Sequence, residues 1–339
     1  MSLLELADLA VSFPSPDGAV HALRGVSLTL DPGRTLGVVG ESGSGKSTAA
    51  LAILGLNRGA RVSGRIGFDG QDLLSLGEDR LREVRGSQIG MVFQDPLSSL
   101  HPYYTVGRQI AEAIRAHEDV GAKAARRRAA DLLRLVGIPE PERRADDYPH
   151  EFSGGMRQRV MLAMAVALRP KLLIADEPTT ALDATVQAQI LELIMRLQRE
   201  YGMAVLLITH DLGVVAAVAD EVMVMYAGRV VESADSHTAF HRPHHPYTLG
   251  LLASLPGPRG QRLRPIPGQP PSLLRMPDGC PFQPRCDYAM HQCAATEPPL
   301  LTVTGGPAHR SACWLPSGAV GRDDGAERIR ARAIGRKAS

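Results

Sequence analysis

The first 279 of the 339 residues contain no cysteine, and the four cysteines of the chain, Cys280, Cys286, Cys293 and Cys313, fall together near its end. Charge of one sign is also lacking. Lys and Arg number 38 against 36 Asp and Glu, a formal net charge of +2, so no global field argues for a nucleic-acid partner. No apolar run approaches the ~18 to 20 residues that span a bilayer. The opening "MSLLELADLA" has neither the basic stretch nor the long apolar core of a secretion signal. These absences argue against a membrane-spanning helix and make the cytoplasm the expected compartment. In that reducing setting, clustered thiols are metal ligands or redox groups more often than disulfides.

The chain is 44% apolar and 22% charged, an ordinary globular composition. Single cores stop growing at about 250 to 300 residues, so two unequal parts are expected. Over residues 1–235 short apolar runs alternate with helical stretches, the pattern of an α/β domain with a largely parallel sheet. "TLGVVG" (35–40), "IGMVF" (89–93), "KLLIAD" (171–176), "AVLLIT" (204–209) and "EVMVMY" (221–226) read as strands, several apolar on both faces as buried parallel strands are. "HALRGVSLTLDPG" and "VSGRIGFDG" alternate more, which predicts antiparallel strands and a mixed sheet. Between Gln94 and Phe152, apolar residues at three and four spacing in "VGRQIAEAIRAHED" and "AKAARRRAADLLRLVG" predict a helical subdomain, about residues 95–160. From residue 236 Pro and Gly rise, marking an irregular region over 236–316, and a mobile basic tail is expected over 317–339.

"GESGSGKST", Gly40 to Thr48, fits G-x-x-x-x-G-K-[ST] and follows the strand "TLGVV" directly. Gly40, Glu41, Ser42, Gly43, Ser44 and Gly45 form a loop whose backbone amides can turn onto a β-phosphate. Lys46 neutralises β and γ oxygens, Ser47 can offer its hydroxyl to Mg²⁺, and Thr48 continues into the helix whose N-terminus favours anions. "KLLIADEP" ends a strand on two acids with separate tasks: Asp176 toward Mg²⁺, and Glu177 to orient or deprotonate the attacking water. His210 in "LLITHD" and Gln94 in "VFQD" stand at further strand ends, where an amide can meet Mg²⁺ or water. In "EFSGGMRQRVMLAMAVALRP", Ser153 can cap a helix beginning at Gly154, and its amides make a second anion site. One nucleotide needs only one such site, so the surplus makes sense if it serves another subunit's ATP.

The order P-loop, "VFQD", "FSGGMRQR", "LLIADEP", "ALD" and "ITHD" resembles the ATP-binding subunit of ABC transporters. The resemblance covers residues 1–235 and implies a P-loop NTPase with a RecA-like core, an antiparallel β-subdomain and a helical subdomain, acting as a head-to-tail ATPase dimer. It further implies that Ser153, Gly154 and Gly155 meet the γ-phosphate across the dimer and that Asp183 lines the interface. Gln94 would relay to membrane subunits, His210 would hold the γ-phosphate, and Phe13 would stack on adenine. Met156 stands where the wider family has Gln, and Phe152 where Leu is common. Both fit one branch: "YPHEFSGGMRQRVMLAMA", "HHPYTLGLLASLP" and the cysteine-bearing tail are similar to the dipeptide/oligopeptide importers, whose relatives also move nickel or glutathione. The partners so implied are a second ATPase subunit, with a paralogue in a heterodimer as the expectation, two integral membrane permeases and an extracytoplasmic solute-binding protein. The chain would then be peripheral to the cytoplasmic face of the membrane. A soluble ABC ATPase acting on ribosomes or DNA is the alternative. Single-chain translation factors of that kind carry two ATPase units and repair proteins carry a long coiled-coil insert, whereas this chain has one unit and a short insert.

The four cysteines are separated by five, six and nineteen residues, without the C-x-x-C knuckle of common zinc modules. Four thiolates suit either zinc or a four-iron cluster. The resemblance to the peptide importers, and not the spacing, implies a [4Fe–4S] cluster. His291 and His309 are expected outside its ligand set, and His237, His241, His244 and His245, in a Pro-rich connector, are expected at the surface.

Overall fold

The computed structural model describes residues 2–255, 265–303 and 308–315. The tail expected over 317–339 lies outside the described residues. The chain divides into two compact units: one of Met1–Leu3, Leu30–Arg34 and Asp69–Ile208, the other of Leu4–Thr29, Thr35–Phe68 and Thr209–Ser339.

In the first unit the strands Ile89–Val92, Leu172–Asp176 and Ala204–Ile208 run parallel, with Ile89 opposite Leu172, Val92 opposite Ala175 and Asp176 opposite Ile208. Every residue of the latter two strands is buried, which is why both read as unbroken apolar runs rather than alternating ones. Parallel register brings the strand ends to one edge, so Gln94 and Glu177 emerge side by side although 83 positions apart. The helical subdomain follows the three-four spacing. Val106–Arg115 and Ala122–Leu135 bury Ile110, Ile114, Ala125, Ala129 and Leu133, each large side chain contributing about 1.5 to 3 kcal/mol. Helix Gly154–Ala165 begins where the sequence places it, behind Ser153. Helix Ala184–Tyr201 is capped by Asp183 and ends at Gly202, whose φ of 66° only glycine adopts cheaply.

In the second unit the expected antiparallel strands form: Leu4–Ser15 pairs with Arg61–Phe68, Leu4 opposite Phe68, and Gly18–Leu30 flanks Leu4–Ser15. Strand Thr35–Val39 is buried at all five positions and runs parallel to Glu221–Tyr226, Val38 opposite Met223. Glu221–Tyr226 turns back into Arg229–Asp235. The Pro-rich C-terminal region supplies more regular structure than its composition suggests. Helices Ser236–His241 and Pro246–Ala253 form, and the two-residue strands Leu301–Thr302 and Arg310–Ser311 extend the sheet from Arg229–Asp235. Val39, Val224, Tyr226, Phe240, Tyr247, Leu252 and Phe282 share one core, against which Cys280 and Cys286 pack.

Candidate active site

The phosphate loop is built on close approach. Gly45 has φ 101°, and a Cβ there would lie 2.6 Å from the Ala22 carbonyl; one at Gly40 would lie 2.2 Å from the Met225 carbonyl. Side chains at either position would push the loop off the sheet. Lys46 opens helix Lys46–Ile53 and is buried, with its Nζ donating to the carbonyls of Gly40 at 2.7 Å and Glu41 at 2.9 Å. Ser44 Oγ is buried with no hydrogen-bond partner among the described residues. A buried orphan hydroxyl beside a buried ammonium and a glycine loop fits a phosphate, which would satisfy both. Ser42 and Gly43 are exposed, and Ser47 and Thr48 are half-buried. His210 is exposed; it follows Thr209, whose N–H donates to the Val38 carbonyl at 3.1 Å. Phe13 lies half-buried in strand Leu4–Ser15.

In the first unit Asp176 is the buried last residue of its strand, and Glu177 follows in the left-handed region at φ 47°. A non-glycine residue held there stores about 1 to 3 kcal/mol of strain, which collects at functional positions. The Glu177 carboxylate accepts from Gln94 Nε2 at 3.1 Å and from Thr180 Oγ1 at 2.7 Å, and its N–H donates to the Ile208 carbonyl at 2.8 Å. Thr180 is a site contact that no spacing in the sequence points to. Ser153 caps its helix by accepting from Met156 N–H at 3.4 Å. Asp183 caps the next one, its Oδ1 accepting from Thr185 and Val186 N–H at 3.0 Å each. The two helix starts touch: Gly155 offers no room for a side chain, because a Cβ would lie 2.6 Å from Val186 Cγ1.

Cys280, Cys286, Cys293 and Cys313 line one small cavity, together with Phe282, Tyr288 and Trp314. Burial pushes the Cys280 and Cys313 thiols up to about 11 and raises that of Cys286. Among the described residues, however, no group of three or more His, Cys, Asp or Glu stands in metal-holding geometry. The four cysteines expected to hold a [4Fe–4S] cluster thus line one cavity, but the described residues show no metal-binding group. A metal that bound there would displace the thiol protons. The histidines correct the sequence reading more sharply. His244, His245 and His309 are buried around Glu232, itself 0% exposed. Glu232 accepts from the N–H of His244 at 2.6 Å and of His245 at 3.0 Å, and pairs with His309 Nε2 at 2.7 Å. Burial lowers the His245 pKa to about 4, so its ring is neutral. A buried carboxylate needs donors, and the connector supplies them; only His237 of the group is exposed.

Residues 23–180 match the ABC transporter family, and residues 231–293 match the oligopeptide/dipeptide transporter C-terminal region. The oligopeptide transport ATP-binding protein OppD of Escherichia coli (strain K12) is 50% identical over 318 residues, 93% of this chain and 94% of that protein. The dipeptide transport ATP-binding protein DppD of the same organism is 49% identical over 326 residues, 95% of this chain and 99% of that one. Among solved structures, a dimeric post-hydrolysis state of the ATP-binding cassette MJ0796 bound to ADP and Pi aligns with a TM-score of 0.62 at 29% identity, covering 69% of this chain and 98% of the other. No helix among the described residues is long and apolar enough to cross a membrane. With its phosphate loop, its capped Ser-Gly-Gly helix and the strand-end acids of Asp176 and Glu177 in place, the chain belongs to the ABC transporter family and carries the C-terminal region of its oligopeptide/dipeptide branch.

Proposed function

We propose that this chain is the ATP-hydrolysing subunit of an importer that takes up oligopeptides or dipeptides through two membrane permease subunits, fed by an extracytoplasmic solute-binding protein. The observation that carries the reading is the phosphate loop: a glycine-built turn at the end of a buried parallel strand, with Lys46 held ready on its carbonyls. Its division into a nucleotide-binding domain over 1–235, a transporter-type region over 236–316 and a basic tail over 317–339 follows the pattern of the sequence. The chain sits on the cytoplasmic face of the membrane through its permeases and pairs with a second ATPase subunit, a paralogue in a heterodimer.

In this reading amides of the loop Gly40–Thr48, apart from that of Glu41, which donates to Tyr247, bind the β- and γ-phosphates with the Lys46 ammonium, and Phe13 stacks on adenine. Magnesium, held by Ser47, Asp176 and Gln94, supplies charge neutralisation at the phosphates when bound. Glu177 orients the attacking water and accepts its proton as the water oxygen bonds to the γ-phosphorus and the bond from that phosphorus to the β–γ bridging oxygen breaks, releasing ADP and phosphate, and His210 holds the γ-phosphate. Ser153, Gly154 and Gly155 complete the partner subunit's site with backbone donors, which makes hydrolysis depend on dimer closure, and Asp183 lines that interface. Cys280, Cys286, Cys293 and Cys313 hold a [4Fe–4S] cluster, with zinc as the alternative, and the metal supplies cross-links to a segment poor in regular structure. Convergence of all four thiols on one cavity supports this assignment.

Glu177→Gln keeps the shape of the side chain and removes the base. ATP binding should survive while turnover falls by ~10² to 10⁴, and peptide uptake into vesicles carrying the whole complex should stop. Undiminished hydrolysis in the variant would refute the role of Glu177. Uptake of nickel or glutathione in place of peptide would move the substrate to another part of the branch.

A further inference from the structure

Glu41, the second residue of the phosphate loop, has all three of its polar groups engaged. Its carbonyl accepts from Lys46 Nζ at 2.9 Å, its N–H donates to Tyr247 Oη at 2.8 Å, and its carboxylate accepts from both terminal nitrogens of Arg285, at 2.7 and 2.9 Å. Two of these three partners belong to the C-terminal region, more than 200 residues away in sequence.

Arg285 is itself held on every side. Its side chain is 4% exposed. Its Nε donates to the Pro267 carbonyl at 2.8 Å, and one terminal nitrogen also reaches Tyr226 Oη at 3.2 Å. The guanidinium lies 5.8 Å from the Tyr226 ring and 5.9 Å from that of Phe282. It closes the single turn Gln283–Arg285, bracketed by cysteines. Gln283 N–H donates to the Cys280 carbonyl at 3.0 Å, Cys286 N–H to the Gln283 carbonyl at 3.2 Å, and Cys280 N–H to the Cys293 carbonyl at 2.7 Å. Where the guanidinium points is therefore decided by how the segment between Cys280 and Cys293 is ordered.

We propose that Arg285 is a positioning residue of the phosphate loop, through which the order of the cysteine segment sets the affinity for nucleotide. The inference rests on the ATP-binding reading above. A carboxylate on a loop that receives a polyanion repels its ligand unless a cation neutralises it. A bidentate guanidinium does this with fixed geometry, and by holding Glu41 it also fixes the turn on which Lys46 rests. Disorder in the cysteine segment releases the guanidinium, exposes the Glu41 charge and loosens the loop.

Full-length protein, Arg285→Met, Glu41→Gln and the double substitution are titrated with Mg-ATP at equilibrium, with circular dichroism as the check on fold. Arg285→Met should weaken binding about tenfold, Arg285→Lys should recover part of the loss, and the double substitution should return to within about threefold of the unsubstituted protein, because a neutral amide no longer repels phosphate. Cys293→Ala should weaken binding alone and have little effect beside Glu41→Gln. Equal affinity of Arg285→Met and the unsubstituted protein overturns the inference. So does an equal loss in both Glu41 backgrounds, the mark of a merely structural role. No Mg-ATP binding by the unsubstituted protein overturns the ATP-binding reading and this one together, a result distinct from either.

Discussion

Gly155→Ala adds one methyl group where the two capped helix starts meet without room for a side chain. That carbon would lie 2.6 Å from Val186 Cγ1, with Val186 Cβ and Cγ2 at 3.8 and 3.9 Å. Comfortable carbon contacts fall at about 3.5 to 4.0 Å, so close to 1 Å of space must be found. Val186 is the third residue of helix Ala184–Tyr201, and a β-branched side chain in a helix has essentially one χ1 rotamer. Relief must therefore come from parting the starts of the two helices, which Ser153 and Asp183 cap. The overpacking costs about 1 to 3 kcal/mol, partly offset by the ~0.5 to 1 kcal/mol that alanine gains over glycine inside a helix. Urea denaturation should show a net loss of up to about 2.5 kcal/mol. A 1 Å displacement of donors that must meet a phosphate should lower steady-state hydrolysis by ~10²-fold. Adding Val186→Ala removes the clashing carbon and should restore most of both. A Gly155→Ala protein with unaltered hydrolysis and stability would refute the reasoning, because it would mean the helix starts yield without consequence.

Glu232→Ala strips the acceptor from two backbone N–H groups and His309 Nε2 and should cost about 3 to 5 kcal/mol in chemical denaturation; a loss under about 1 kcal/mol would show that the pocket finds other acceptors. Anaerobic purification should yield iron and acid-labile sulfide in equal amounts, and Cys313→Ser should lose both; zinc in their place would assign the four thiols to the other metal.

The nucleotide loop was readable because its chemistry is local: glycines, Lys46 and Ser47 must follow one another without interruption behind an apolar strand. Strand ends were readable for a related reason, since runs such as "KLLIAD" stop where a polar group must emerge. The link from Gln94 to Glu177 was only implied, because parallel register and not sequence makes them neighbours. Arg285 carried no signal at all. An arginine in a Pro-rich stretch looks like solvated charge, and its partner stands 244 positions earlier. The histidines of the connector misled for the same reason: His244 and His245 are buried because a carboxylate from strand Arg229–Asp235 needs their N–H groups, a demand set by tertiary structure. The cysteine segment lies far from the phosphate loop along the chain. In space it reaches that loop through one side chain.

The two-residue strand Arg310–Ser311 lies along Arg229–Asp235, setting Ser311 opposite Glu232 and Arg310 opposite Ser233, and Ala312 N–H adds a bond to the Val231 carbonyl at 2.8 Å. Its length matters more than its contribution to stability. Its outer side is itself paired with Leu301–Thr302, so the edge of the sheet is a strand of only two residues, which covers the rim of Arg229–Asp235 and leaves few unpaired amides to any passing chain. A version of the protein shortened before residue 308 would bare that rim, and the fault to expect is clumping during production rather than failed nucleotide chemistry.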